Sequence, residues 1–219
     1  MIHPTAVIDK KAEVADDVDI GPYCVIGPEA RIGSGTRLVS HVSITGRTDI
    51  GTHCTIHPFA SLGGDPQDIT YKGEDTTCVI GDHNHIGEYV TINKASAKAD
   101  RVTRVGSRNI IMAYSHIGHD CVVGNEVQMA NAATLGGHVH VADFAIVSGL
   151  VAVHQFCRIG RFAMVSGLTV GTRTQTIQFD VLVASQAGLP LMAWVGIVLV
   201  LVIAFFVVRR VRRHRHVPA

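Results

Sequence analysis

Between residues 105 and 170 an aliphatic side chain returns at every sixth position: Val105, Ile111, Ile117, Val123, Met129, Leu135, Val141, Val147, Val153, Ile159 and Val165. A small residue follows most of them. The fourth residue after each is small or β-branched, as at Ser115, Cys121, Val127, Ala133 and Val139. An α-helix repeats every 3.6 residues and a strand every two, so neither gives this period. A hexapeptide repeat marks a parallel β-helix, in which the chain winds into stacked layers. Three hexapeptides make one triangular coil of about 18 residues, with neighbouring layers about 4.8 Å apart. The aliphatics point inward. Glycines and polar residues are expected at the corners, where the backbone turns sharply.

The same frame starts at once in the chain, at Ile2, Ile8, Val14, Ile20, Ile26, Ile32, Leu38, Ile44, Ile50, Ile56 and Leu62. It breaks over 65–78 (DPQDITYKGEDTTC), resumes at Ile80, Ile86 and Ile92, and breaks again over 95–104 (ASAKADRVTR). Both breaks read as loop excursions from the coil, and loops on a rigid scaffold are where substrate contacts concentrate. The expected fold is therefore all-β, a parallel β-helix over 1–170 with those two excursions. A linker over 171–190 follows. Residues 191–208 (LMAWVGIVLVLVIAFFVV) carry no charge and are apolar all round, which reads as a hydrophobic helical segment at the lower end of membrane-spanning length. An Arg-rich tail occupies 209–219.

Composition agrees with a coil of small layers: aromatics make up 5% of the chain and glycine numbers 22. Five of the 19 basic residues lie in the tail, at Arg209, Arg210, Arg212, Arg213 and Arg215, which leaves residues 1–208 mildly acidic with 14 bases against 18 acids. That balance gives no basic stripe for nucleic acid. Cys24, Cys54, Cys78, Cys121 and Cys157 fall at the small inward position of different coils and form no CxxC pair, so they read as core residues in a reducing compartment. The N-terminal residues lack the pattern of a secretion signal.

Thirteen histidines are many for 219 residues. His3, His41, His53, His57, His83 and His85 read as solvated corner residues. His116, His119 and His138 differ, because 119 and 138 lie one coil plus one residue apart, and His154 lies two coils plus two residues beyond His116. These histidines line one flank of the solenoid. His119 with Asp120 supplies an imidazole beside a carboxylate, the pairing a general base uses as it becomes cationic. Successive residues on a strand face opposite ways, so a direct contact between the two requires the backbone to bend at a corner. Gly136-Gly137 offers a bare backbone N–H suited to a developing oxyanion. A flank of three histidines with an open position would also suit zinc and a hydratase chemistry.

The runs His116-Ile117-Gly118-His119-Asp120-Cys121, Asn131-Ala132-Ala133-Thr134-Leu135-Gly136-Gly137-His138 and Ala152-Val153-His154-Gln155-Phe156-Cys157-Arg158-Ile159-Gly160 carry a resemblance. Together with Gln67-Asp68 and Tyr71-Lys72-Gly73-Glu74, they resemble the acyl-[acyl-carrier-protein]–UDP-N-acetylglucosamine O-acyltransferases, which open lipid A synthesis. The resemblance covers about residues 1 to 170 and implies a left-handed coil, a cytoplasmic homotrimer and active sites between subunits. It implies that His119 deprotonates the sugar 3-hydroxyl, with Asp120 as its partner and the Gly137 amide as oxyanion donor. His116, His138, His154, Gln67 and Asp68 would bind the UDP-sugar or the acyl-phosphopantetheine, Gln155 would contact the nucleotide region, and Gly167 would leave room for the acyl chain. No metal and no cofactor is implied; the acyl chain, (3-hydroxy)acyl in this family, arrives as a thioester on acyl carrier protein.

Two features depart from the family. Thr70 stands where a lysine is usual, with Lys72 two residues on, so a cation for the diphosphate is missing or displaced. The family's C-terminal helical domain is replaced here by the apolar segment and the arginines, which suggests an anchor on the inner face of the cytoplasmic membrane, a fusion or a shifted reading frame. A non-catalytic trimeric scaffold and a zinc-dependent hydratase of the carbonic anhydrase type remain as alternatives.

Overall fold

The computed structural model describes residues 1–167 and the backbone of 170–171. The expected linker, hydrophobic segment and Arg-rich tail lie outside the described residues. Among those described, every regular element is a short parallel strand. The strands form three sheets, one per face of a triangular coil, and the winding is a left-handed parallel β-helix. Face one holds nine strands from Val7–Ile8 to Val170–Gly171, face two eight from Glu13–Val14 to Arg158–Ile159, and face three eight from Asp19–Ile20 to Met164–Val165. Along face one Ile26 pairs with Ile44 and Ile44 with Leu62, each one 18-residue coil apart. The next partners of Leu62 are Ile92 and then Ile117, 30 and 25 residues on, so the two excursions add 12 and 7 residues without breaking the stack. Strands Thr77–Ile80 and Val102–Val105 start inside the ranges expected for the loops, which leaves the excursions as 65–76 and 94–101.

The inward aliphatics form one continuous core. Ile20, Ile44, Ile56, Ile86, Ile117 and Met129 are fully buried, and all five cysteines are buried, as their frame positions require. Replacing Ile56, which stacks between Leu38 and Ile86 on face three, with Ala is expected to cost about 2–5 kcal/mol. Urea unfolding checks this, and an unchanged midpoint would contradict such a stacked core.

The corners differ from expectation. Residues with positive φ are mostly not glycine: Tyr23, Phe59, Tyr89, Tyr114, Asp120 and His138 all turn the chain with φ of 57–65°. The left-handed conformation costs a non-glycine residue about 1–2 kcal/mol. Ring stacking between layers offsets part of it, with Phe59, Tyr89 and Tyr114 centroids 4.9 Å apart. Glycines instead follow the inward aliphatic, where layers approach closely: a Cβ on Gly118 would lie 2.9 Å from the Gly136 carbonyl carbon. Close packing places them there.

Candidate active site

One corner gathers most of the predicted residues. It joins face one to face two, and four successive layers meet there. The lower two layers are the excursions, 65–76 and 94–101. Above them come His119 and Asp120, which follow strand His116–Ile117, then Gly136 to His138, which follow strand Thr134–Leu135. His154 and Gln155 occupy the same corner one layer higher, both exposed. Both loops therefore leave the coil on the edge that carries the histidines.

Asp120 has φ of 60°, the bend that a contact between neighbouring residues demands. His119 Nδ1 then lies 2.7 Å from Asp120 Oδ2, with side chains 11% and 1% exposed. Burial raises the Asp120 pKa, but hydrogen bonds from His119 and Ser96 outweigh it and hold the carboxyl below its ordinary value. An ionised carboxylate only accepts, so Nδ1 carries the proton of this bond, and in the neutral ring the lone pair is on Nε2. The arrangement holds a buried, oriented imidazole that can accept a proton. The Ser96 amide donates to Asp120 Oδ2 at 3.0 Å, and Thr103 Oγ1 accepts the Asp120 amide at 2.8 Å. Sequence reasoning marked the second loop but named neither residue; Ser96 sits 24 positions from Asp120, and only the fold-back of the loop brings them together.

Gly137 lies against the His119 ring: a Cβ there would come within 2.5 Å of Cε1 and 2.6 Å of Nε2. Its N–H meets no acceptor among the described residues, which leaves it available to a ligand. His138 stands edge-to-face with His119, centroids 5.2 Å apart, and stacks on Phe156 at 4.6 Å. His116 projects from face one beside the corner, its Nδ1 2.7 Å from Thr91 Oγ1. Burial lowers the pKa of both His116 and His138; the His119 charge adds to the effect at His116, while Asp120 opposes it at His138. His85 and His140 are lowered by burial too. A histidine with a depressed folded-state pKa takes up its proton later in the fold than in the unfolded chain. Stability is thus full above about pH 6.5, the unfolded value, and falls as pH drops through it toward the folded values. Urea midpoints at pH 7.5 and 5.5 are expected to differ, the lower at pH 5.5; equal midpoints would contradict these buried neutral imidazoles.

The first loop reaches the corner through Asp68, whose Oδ2 lies 2.6 Å from Lys98 Nζ on the second loop, while Thr70 bonds its Oδ1 through amide and hydroxyl. Thr70 thus caps the carboxylate, and the cation beside it comes from the other loop. Gln67, on the same loop, is exposed. Gly167 sits at a different corner, between faces three and one, so a single chain does not bring it to the histidines. A cavity of about 460 Å³ lies on face two around His140, Arg158 and Arg161, apart from all the predicted residues.

His119, Asp120 and His138 place one ligand atom each within 4.8 Å, close enough to be considered for a metal. Two donors on one tetrahedral zinc, each about 2.0–2.1 Å from it, sit roughly 3.3 Å apart. The 2.7 Å between Nδ1 and Oδ2 is instead a charge-assisted hydrogen bond, so the pair fits proton transfer better than zinc.

No family model matches the chain, but individual proteins do. The acyl-[acyl-carrier-protein]–UDP-N-acetylglucosamine O-acyltransferase of Thermodesulfovibrio yellowstonii is 58% identical over 144 residues, covering 66% of this chain and 56% of that protein. Among solved structures, the UDP-N-acetylglucosamine acyltransferase of Francisella novicida superposes with a TM-score of 0.77 at 48% identity, over 78% of this chain and 62% of that one. That of Bacteroides fragilis gives 0.76 at 36% identity, over 78% and 67%. The chain thus spans 56% to 67% of the length of these three proteins. Fold and sequence coincide across that span, and on those grounds the chain belongs to the acyl-[acyl-carrier-protein]–UDP-N-acetylglucosamine O-acyltransferase family.

Proposed function

We propose that the protein transfers a (3-hydroxy)acyl chain from acyl carrier protein to the 3-hydroxyl of the glucosamine in UDP-N-acetylglucosamine, the first step of lipid A synthesis. The observation that carries this reading is the buried His119–Asp120 bond at 2.7 Å beside the uncommitted Gly137 amide. Nε2 of His119 takes the hydroxyl proton as the oxygen attacks the thioester carbonyl. Asp120 stabilises the imidazolium that forms, and the Gly137 N–H receives the oxyanion. Collapse of the tetrahedral intermediate expels the thiolate of the carrier arm, which takes the proton back from His119. His116, His138, Gln67 and Asp68 contact the sugar nucleotide or the acyl-phosphopantetheine. His154, one layer up, joins them, and Gln155 beside it contacts the nucleotide region.

A convex corner excludes water poorly, so we read the working unit as a homotrimer in which a neighbouring subunit supplies the second wall. Gly167, at another corner of its own chain, would then reach the acyl chain from that neighbour. Both substrates belong to the cytoplasm, and the reaction is assigned there.

The test is acylation of UDP-N-acetylglucosamine by purified protein with acyl carrier protein thioester as donor. Product formation that survives chelator supports the reading. Stoichiometric zinc with activity lost to chelator would turn it toward a hydratase, and a folded trimer without turnover toward a scaffold.

A further inference from the structure

Lys98 is a charged residue of the active corner to which nothing so far gives a role. The 94–101 loop is pinned to the catalytic pair by the Ser96 amide on Asp120, and Ser96 Oγ accepts the Lys98 amide at 3.2 Å. That short path fixes where the Lys98 stem starts. Its ammonium lies 2.6 Å from Asp68, so this ion pair joins the two excursions at the corner that carries the histidines. The other cations of the two loops face other groups: Lys94 is 13% exposed, 3.0 Å from Asp65 and over the Tyr71 ring, while Lys72 and Arg101 both act on Glu74. The Lys98 side chain is half exposed, at 53%.

We propose that Lys98 binds a phosphate group of the substrate, exchanging Asp68 for it and freeing the Asp68 carboxylate to accept a hydrogen bond from a substrate hydroxyl. The assignment rests on the functional reading above, in which both substrates carry phosphate: the diphosphate of the sugar nucleotide and the phosphodiester of the carrier arm. Lys98 is 53% exposed but the Asp68 side chain only 10%, so the ammonium can swing to a phosphate only if the substrate hydroxyl takes its place on the carboxylate. Lysine suits this exchange as a mobile point charge on a flexible stem. Asp68 keeps its Thr70 bonds on Oδ1 throughout, so Oδ2 stays oriented when the ammonium leaves.

The test compares the parent with Lys98→Ala and Lys98→Arg, measuring KM for each substrate and direct binding of UDP and of uridine. If the diphosphate is the ligand, Lys98→Ala raises KM for UDP-N-acetylglucosamine about tenfold with kcat within a few-fold, and weakens UDP but not uridine. Lys98→Arg keeps most of the affinity. If the carrier arm is the ligand, KM rises for the acyl carrier protein thioester alone and UDP binding is unchanged, which supports the phosphate role with the other source. Equal losses for UDP and uridine would show that Lys98 only fastens the two loops and would overturn the proposal, as would both KM values within twofold of the parent. A parent that neither turns over nor binds UDP overturns the functional reading, and this assignment with it. A parent that turns over with Lys98→Ala unchanged overturns this assignment alone.

Discussion

His119→Ala is expected to lower acyl transfer by about 10²- to 10⁴-fold, the usual loss when a general base is removed, while the coil stays folded. The imidazole lies at the corner, outside the aliphatic stack, and its bond is to Asp120. Removing it withdraws one donor from a buried carboxylate that still receives the Ser96 amide. The stability cost should therefore stay at the scale of one charge-assisted hydrogen bond, about 1–3 kcal/mol. Single-turnover transfer separates the chemical step from binding, and a thermal melt reports the fold. A variant whose rate stays within a few-fold of the parent would remove His119 from the mechanism.

The coil was legible because every layer offers the same environment to every sixth residue. Each of Ile44, Leu62, Ile92 and Ile117 meets the same neighbours above and below, so one side-chain type recurs and the period shows. The corner histidines were legible for a related reason, since stacking by 18 residues converts spacing into proximity and puts His138 above Asp120.

Other features had no such signal. Left-handed φ at Tyr89 or Phe144 leaves no mark on side-chain type, because Arg108, Glu126, Ala132 and Leu150 adopt the same conformation. Contacts across the insertions were also hidden. Asp68 and Lys98 stand 30 apart, and Ser96 and Asp120 24, separations set by how two irregular loops fold back. Gly167 shows the opposite case: its frame position is plain, yet it falls at a corner that its own chain does not share with His119.

Gly137→Ala is expected to lower transfer by about 10²-fold, and the reason is steric. Alanine keeps the backbone N–H, so the proposed oxyanion donor survives. Its methyl would sit 2.5 Å from His119 Cε1, far inside van der Waals contact, and the ring must move. The ring cannot move without lengthening its 2.7 Å bond to Asp120. A catalytic group displaced by about 1 Å can cost about 10²-fold in rate. A double-mutant cycle tells this apart from a direct effect on the amide. In the His119→Ala background no ring is left to displace, so Gly137→Ala should then cost almost nothing. Were the loss to persist undiminished there, the glycine would act through its own backbone, and the tight seat of His119 against Gly137 would have no part in catalysis.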